Sequence, residues 1–202
     1  MSMNISKTNI NAKMQAQTQT IKLDDGTILN YKGEKGTSVF NEKDGSWTFS
    51  GWNELTIEGT EKNDNYTVEN STFVNVNAKN GNDKINMNNV EKCEANGGDG
   101  DDSITLTSAY KSKVNGGKGN DYINVKVGGD NIFNGDEGND TIVANTTFRS
   151  EYNGNDGDDY TIVKNSYESL IDPGKGNDKV KISGGDYNEI FNEKKYKPDL
   201  KK

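Results

Sequence analysis

The chain has 202 residues, a formal net charge of −8, 29% hydrophobic residues and no histidine. So polar a composition borders on that of disordered chains, the acidic balance argues against nucleic acid and anionic membrane as partners, and no apolar run approaches the length of a membrane span. The single cysteine, Cys93, rules out an intramolecular disulfide framework.

Residues 1–20 are polar and free of acids. They read as a flexible leader and lack the apolar core of a Sec-type signal peptide. From Ile21 the pattern changes: IKLDDGTILNY predicts two short strands around an Asp25-Gly26 turn. Residues 21–63 are expected to form one or two atypical coils that cap the first edge of the regular repeats, with Trp47 and Trp52 covering the end of their core.

Residues 64–182 repeat with a fixed period. Asp83, Asp102, Asp121, Asp140, Asp159 and Asp178 succeed one another at intervals of 19 residues, without an insertion. Each ends a glycine-rich turn: KNGND, then GGDGDD, GGKGND, GDEGND, GNDGDD and PGKGND. Each is followed by a short apolar strand: KINM, SITL, YINV, TIVA, YTIV and KVKI. A constant period over six copies means one structural unit stacked on itself, which needs only a thin core between neighbouring coils. The predicted fold is therefore all-β, a right-handed parallel β-solenoid of 19-residue coils with capping ends. Extending the frame backward puts Gly26, Gly45 and Asp64 at the aspartate position, with TILN, SWTF and NYTV as the strands after them.

Two apolar stations recur in each coil. Two and four residues after the aspartate lie pairs such as Ile85/Met87, Ile104/Leu106 and Ile123/Val125, whose alternation aims both side chains at one face. Twelve residues after it lie Val76, Ala95, Val114, Phe133, Tyr152, Ile171 and Ile190, forming the opposing wall. Thr161 replaces the usual Ile or Val and predicts a shifted or bulged strand. Tyr110, Phe148 and Tyr167, on the edge away from the glycine turns, are expected to be partly buried. Residues 183–202 form a C-terminal cap and a basic tail; DYNEIF is a candidate last strand, with Tyr187 and Phe191 over the core, and Pro198 discourages further pairing.

Stacking sets each repeated aspartate about 5 Å from the next. At that distance two carboxylates repel by about 3 kcal/mol at an effective dielectric near 20. Asp99, Asp101, Asp136, Glu137, Asp156 and Asp158 add to the same edge. A hard divalent cation between turns, held by carboxylate and carbonyl oxygens, relieves this repulsion, and calcium fits best. Without histidine and with one cysteine, zinc and copper sites are implausible. A column of aspartates has a second, metal-free use, which is to cap backbone amides of the turns.

GGDGDDSITL and GGKGNDYIN resemble the glycine-rich nonapeptide of RTX proteins, G-G-x-G-x-D-x-U-x, in which U is a large apolar residue. RTX β-rolls set two nonapeptides in each coil, whereas this chain has one per coil, so metal is expected on one edge only. That arrangement is similar to the 19-residue coils of a calcium-dependent ice-binding adhesin domain. The resemblance implies side-chain ligation by Asp83, Asp102, Asp121, Asp140, Asp159 and Asp178. It also implies backbone ligation by Gly98, Gly100, Gly117, Gly119, Gly138, Gly157, Gly174 and Gly176, with Asp136 and Asn155 at the equivalent place in their turns. About five inter-turn calcium ions are implied. The expected localisation is secreted or extracellular, without a Sec-type signal, and the expected role is a calcium-stabilised structural or adhesion module rather than an enzyme.

An alternative is a carbohydrate-binding or ice- and surface-binding β-helix. Exposed tyrosines such as Tyr122 and Tyr160 suit glycan or cell-surface contact. The outward threonine of the ice-binding coils is replaced by Asn80, Asp99, Lys118, Glu137, Asp156 and Lys175, which do not make a regular Thr/Asn array. Asn77, Asn96, Asn115, Asn134 and Asn153 predict a stacked amide ladder, and Cys93 a small buried thiol.

Overall fold

A computed structural model describes residues 3–5, 10–11, 18–32 and 36–191. The described residues form 22 strands and no helix. Because identical residue types recur every 19 positions, strands stack in parallel with that offset and build a solenoid of about 8 coils. In the first sheet Lys84–Glu91 pairs with Ser103–Tyr110, and Tyr122–Val125, Thr141–Asn145, Tyr160–Lys164 and Lys179–Ser183 continue the stack. In the second, Val76, Ala95, Val114, Phe133, Tyr152 and Ile171 are successive register partners.

The two apolar stations face each other and are buried, Ile85, Met87, Ile104 and Leu106 from one side and Val76, Ala95 and Val114 from the other. Phe133 and Tyr152 lie in adjacent coils with ring centroids 5.4 Å apart at 10°, so stacked coils stack identical ring positions. Thr161 keeps the register, opposite Ile142, and is 1% exposed. The expected bulge is absent because threonine is close in shape to the valine it replaces and enters the core without displacing the backbone.

A narrow third side joins the sheets away from the glycine turns. Its corners are left-handed residues three apart, Asn89 (φ 54°) and Lys92 (φ 55°), Ser108 and Lys111, Thr146 and Arg149, and Asn165 and Glu168, while the coil between keeps only Asp130. Between them the inward positions hold small side chains, Val90, Ala109, Thr147 and Ser166, all buried. Tyr110 and Tyr167, expected to be partly buried, stand at the neighbouring outward position and are 38% and 49% exposed; only Phe148 is half-buried.

At the N-terminal end, Ser46–Ser50 and Asn53–Glu58 pair in parallel with the next coil at the same 19-residue offset, Trp47 opposite Tyr66 and Leu55 opposite Val74. The backward frame fails one step earlier. Ile28–Tyr31 runs antiparallel to both Gln19–Leu23 and Asn53–Glu58, so TILN belongs to a hairpin laid along the first edge rather than to a coil. Antiparallel pairing uses the edge amides and carbonyls and stops the parallel stack. Trp52 closes the core beneath it, 2% exposed and edge-to-face with Tyr31 at 5.2 Å. Trp47 donates from Nε1 to Asp25 at 2.5 Å.

The leader of residues 1–20 lies for the most part outside the described residues; its described segments, Met3–Ile5 and Ile10–Asn11, pair with Gln19–Leu23 and Thr37–Asn41. At the other end Glu189–Ile190 pairs as a last strand. Tyr187 and Phe191 do not cover the core, being 82% and 60% exposed. The basic tail after Phe191, with Pro198, lies outside the described residues.

Candidate metal centre

The glycine turns stack into one edge, and the repeated aspartates form a column inside it. Asp83, Asp102, Asp121, Asp140 and Asp159 are at most 3% exposed, while Asp178 on the last coil is half-buried. Each carboxylate divides its work between its oxygens. Oδ1 accepts the backbone N–H of the aspartate one coil earlier, Asp83 to Asp102, Asp102 to Asp121 and Asp121 to Asp140, each at 2.7 Å. Oδ2 of Asp83, Asp102, Asp121, Asp140 and Asp159 is buried and has no hydrogen-bond partner. A buried carboxylate oxygen without a partner is costly, since its desolvation is uncompensated.

Burial is the leading cause of a shift in these groups. It pushes the Asp102, Asp121 and Asp140 carboxyls up to about 7, against the lowering effect of the amide bond each accepts, and the neighbouring aspartate of the column pushes further in the same direction. Asp83 and Asp159, nearer the ends of the column, are raised to about 6. Asp136 is also raised, again chiefly by burial. Without a counter-ion, the fold thus works against the charge its sequence repeats.

The glycines bring the rest of the edge close. A Cβ on Gly116 would lie 2.3 Å from Oδ2 of Asp121 and 2.5 Å from the carbonyl oxygen of Gly135, so the glycines five residues before Asp102, Asp121, Asp140 and Asp159 admit the carboxylate, while Ala78 and Pro173 hold that place before Asp83 and Asp178. A Cβ on Gly119 (φ 128°) would lie 2.2 Å from the carbonyl oxygen of Gly100, which places that carbonyl toward the next turn. The same approach recurs from Gly119 to Gly138, Gly138 to Gly157 and Gly157 to Gly176. Gly98, Gly117, Asp136, Asn155 and Gly174 occupy the outer bend, all with positive φ. Gly98, Gly117, Asp136 and Asn155 line an open groove of about 470 Å³ together with the charged side chains beyond them. All the predicted ligand positions therefore share one edge. Among the described residues no three carboxylate, imidazole or thiol side chains converge. The donors available to a cation are thus one carboxylate oxygen per turn plus carbonyls, an all-oxygen set of the kind calcium takes.

Two further ladders run along the rod. The residue before each aspartate accepts from the coil after it: Asn63 from Asn82, Asn82 from Asp101, Asp101 from Asn120 and Asn120 from Asn139. On the opposite corner, ten residues after each aspartate, Ser112, Asn131, Ser150 and Ser169 accept the N–H of the same position one coil earlier. Both were visible as Asx or Ser/Asn recurring at 19 residues, the residue types that bond backbone amides.

The expected amide ladder is present: Asn134 donates to Asn115 at 2.7 Å and Asn153 to Asn134 at 2.8 Å. Cys93 is buried, accepts from Val74 at 3.4 Å, and has its thiol pushed up by burial. In the column from Asn80 to Lys175 opposite charges pair between coils, Lys118 with Asp99 and Lys175 with Asp156. No protein-family profile matches the chain, and no curated protein or solved structure matches it either.

Proposed function

We propose that the chain is a non-enzymatic, calcium-binding structural or adhesion module, similar to RTX β-solenoids, whose folded state is stabilised by about five calcium ions between successive turns. The observation that carries this reading is the set of five buried Oδ2 atoms, on Asp83, Asp102, Asp121, Asp140 and Asp159, that lack any partner. Their number equals the number of spaces between six stacked turns. Calcium supplies positive charge between carboxylates that otherwise repel and resist ionisation.

The chain's own residues do the rest. Oδ1 of each aspartate, tied to the preceding coil, fixes the carboxylate so that Oδ2 points at a constant place. For Asp102, Asp121, Asp140 and Asp159 the glycine five residues earlier makes room for that oxygen. Carbonyls of the Gly98/Gly117 and Gly100/Gly119 columns are the remaining donors. Asp178, half-buried at the last coil, would hold the weakest site. Reactive side chains repeat in columns instead of converging on one pocket, which is why catalysis is not part of the reading.

Affinity in the range of extracellular calcium modules, about 10⁻⁴ to 10⁻³ M, would leave the chain unfolded at low calcium and folded outside the cell. The test is far-UV circular dichroism during a calcium titration after EGTA treatment. A transition from disorder to β structure between micromolar and millimolar calcium supports the reading. An unchanged β spectrum with and without calcium refutes it.

A further inference from the structure

The acids of this chain are not spread evenly over its surface. On the first sheet the outward positions of each coil lie one, three and five residues after the aspartate. Across the six coils from Lys84 to Ser183 these positions hold five lysines and no Asp or Glu, in a chain with 32 acids. The lysines are Lys84, Lys126, Lys164, Lys179 and Lys181, all exposed. Among the described residues, neither Lys126 nor Lys164 forms an ion pair. An acidic rod thus carries one basic, flat, solvent-facing side.

Aromatic residues sit on that side in a regular order. Tyr122 and Tyr160 are 42% and 37% exposed and occupy the same register column, with Thr141 between them. Lys126 comes after Tyr122 and Lys164 after Tyr160 at the same interval, in the segments YINVK and YTIVK. The Tyr/Lys pair therefore occurs twice, two coils and about 10 Å apart along the rod. An exposed tyrosine ring offers an apolar face with a polar tip, which is what the C–H face of a pyranose stacks on, and two coils correspond to about one disaccharide of an extended chain. The half-buried Asn124, Thr141 and Thr105 around the rings supply neutral hydrogen-bonding groups.

We propose that this face binds an extended acidic polysaccharide lying along the solenoid axis, with Tyr122 and Tyr160 stacking on alternate sugars and Lys126 and Lys164 meeting its carboxylates. The proposal deepens the adhesion reading above, naming the ligand class for it, and does not depend on which ion fills the turns.

The experiment uses the full chain at saturating calcium, with its β spectrum recorded alongside, so that failure of the calcium reading and failure of binding are seen separately. Hyaluronan and polygalacturonate octasaccharides are titrated calorimetrically, with a neutral cello-oligosaccharide of equal length as control. At least one acidic chain is expected to bind, at least tenfold tighter than the neutral one and more weakly as salt is raised. Tyr122→Ala/Tyr160→Ala is expected to lower affinity at least tenfold with the β spectrum unchanged. Thr141→Tyr/Tyr160→Thr keeps both rings but halves their spacing, and is expected to lose affinity similarly. The proposal is overturned if neither octasaccharide binds, if the re-spaced pair binds as well as the native one, or if duplex DNA competes as effectively as the polysaccharide, which would make the face a site for any polyanion.

Discussion

Two edges of this solenoid solve the same problem with different chemistry. On the glycine edge, an aspartate accepts the backbone N–H of the aspartate one coil earlier. On the opposite corner, Ser112, Ser150, Ser169 and Asn131 accept the equivalent N–H from their own column. The neutral edge is complete: Ser150 Oγ also donates to the carbonyl of Phe148, and Asn131 Nδ2 to that of Ala109. The acidic edge is not, because each buried aspartate keeps one oxygen without a partner. Serine and asparagine suffice for capping, so the charge and the second oxygen of the aspartates serve something else. Asp64, at the start of the column, shows the contrast within one edge. Its turn lacks the glycine pair, and both its oxygens are taken by Thr60.

If calcium fills the acidic edge as proposed, the largest expected effect separates the two edges by chelation. Each site filled at 100 times its Kd contributes about 2.7 kcal/mol, so five together rival the roughly 5–15 kcal/mol that holds a domain folded. At neutral pH, EGTA is expected to abolish most of the cooperative thermal transition, as read by circular dichroism. A melting temperature that is insensitive to EGTA would mean that the acidic edge is as self-sufficient as the neutral one.

pH is the next lever, and its sign reverses with calcium. In the metal-free chain the carboxyls of Asp102, Asp121 and Asp140 are raised to about 7, above the ordinary value of about 3.9 in the unfolded chain. Such groups contribute stability that is fully present below the unfolded value and lost as pH rises through the folded one. Metal-free protein should therefore melt higher at pH 5 than at pH 8. Calcium requires the deprotonated form, so its stabilisation should grow over the same interval. Two melting curves at each pH, with and without calcium, decide it; parallel trends would contradict the assignment.

A single substitution isolates the charge from the cap. Asp121→Asn keeps an oxygen for the Asp102 amide but removes the carboxylate. In calcium it is expected to cost about 3 kcal/mol, the value of one well-filled site. In metal-free protein at pH 5, where the Asp121 carboxyl is protonated and carries no buried charge, it should be close to neutral. Equal losses under both conditions would assign Asp121 to packing alone.

Much of this was legible in the sequence because a 19-residue register converts spacing directly into stacking. The columns of Ile104, Ile123 and Val114 and the aspartate edge needed no more than counting. What the period could not show was the division of labour inside a carboxylate, one oxygen capped and one orphaned, since that depends on the direction of a side chain. Nor could it show the fate of Tyr110 and Tyr167. The left-handed residues at Ser108 and Lys111 set which side of the corner faces in, and they give that place to Ala109. The frame also broke at TILN, because antiparallel strands obey no 19-residue rule. The acid-free face that carries Tyr122 and Tyr160 was written in the sequence, but it emerges only once the outward positions are known.

The smallest expected effect tests the neutral edge in its own right. Ser150 is 1% exposed, accepts the N–H of Asn131 at 3.3 Å and donates to the carbonyl of Phe148 at 3.1 Å. Ser150→Ala leaves that amide buried without its acceptor, at a cost of about 1–3 kcal/mol. Because this corner lies across the core from the glycine turns, the loss should be the same with calcium and in metal-free protein at pH 5, where the metal-free chain is more stable than at pH 8. Denaturant titrations of the variant and the native chain under both conditions measure the two differences. A loss confined to the calcium form would mean that the two edges are coupled through the coil, and the capping ladder would then be part of the metal centre rather than its neutral counterpart.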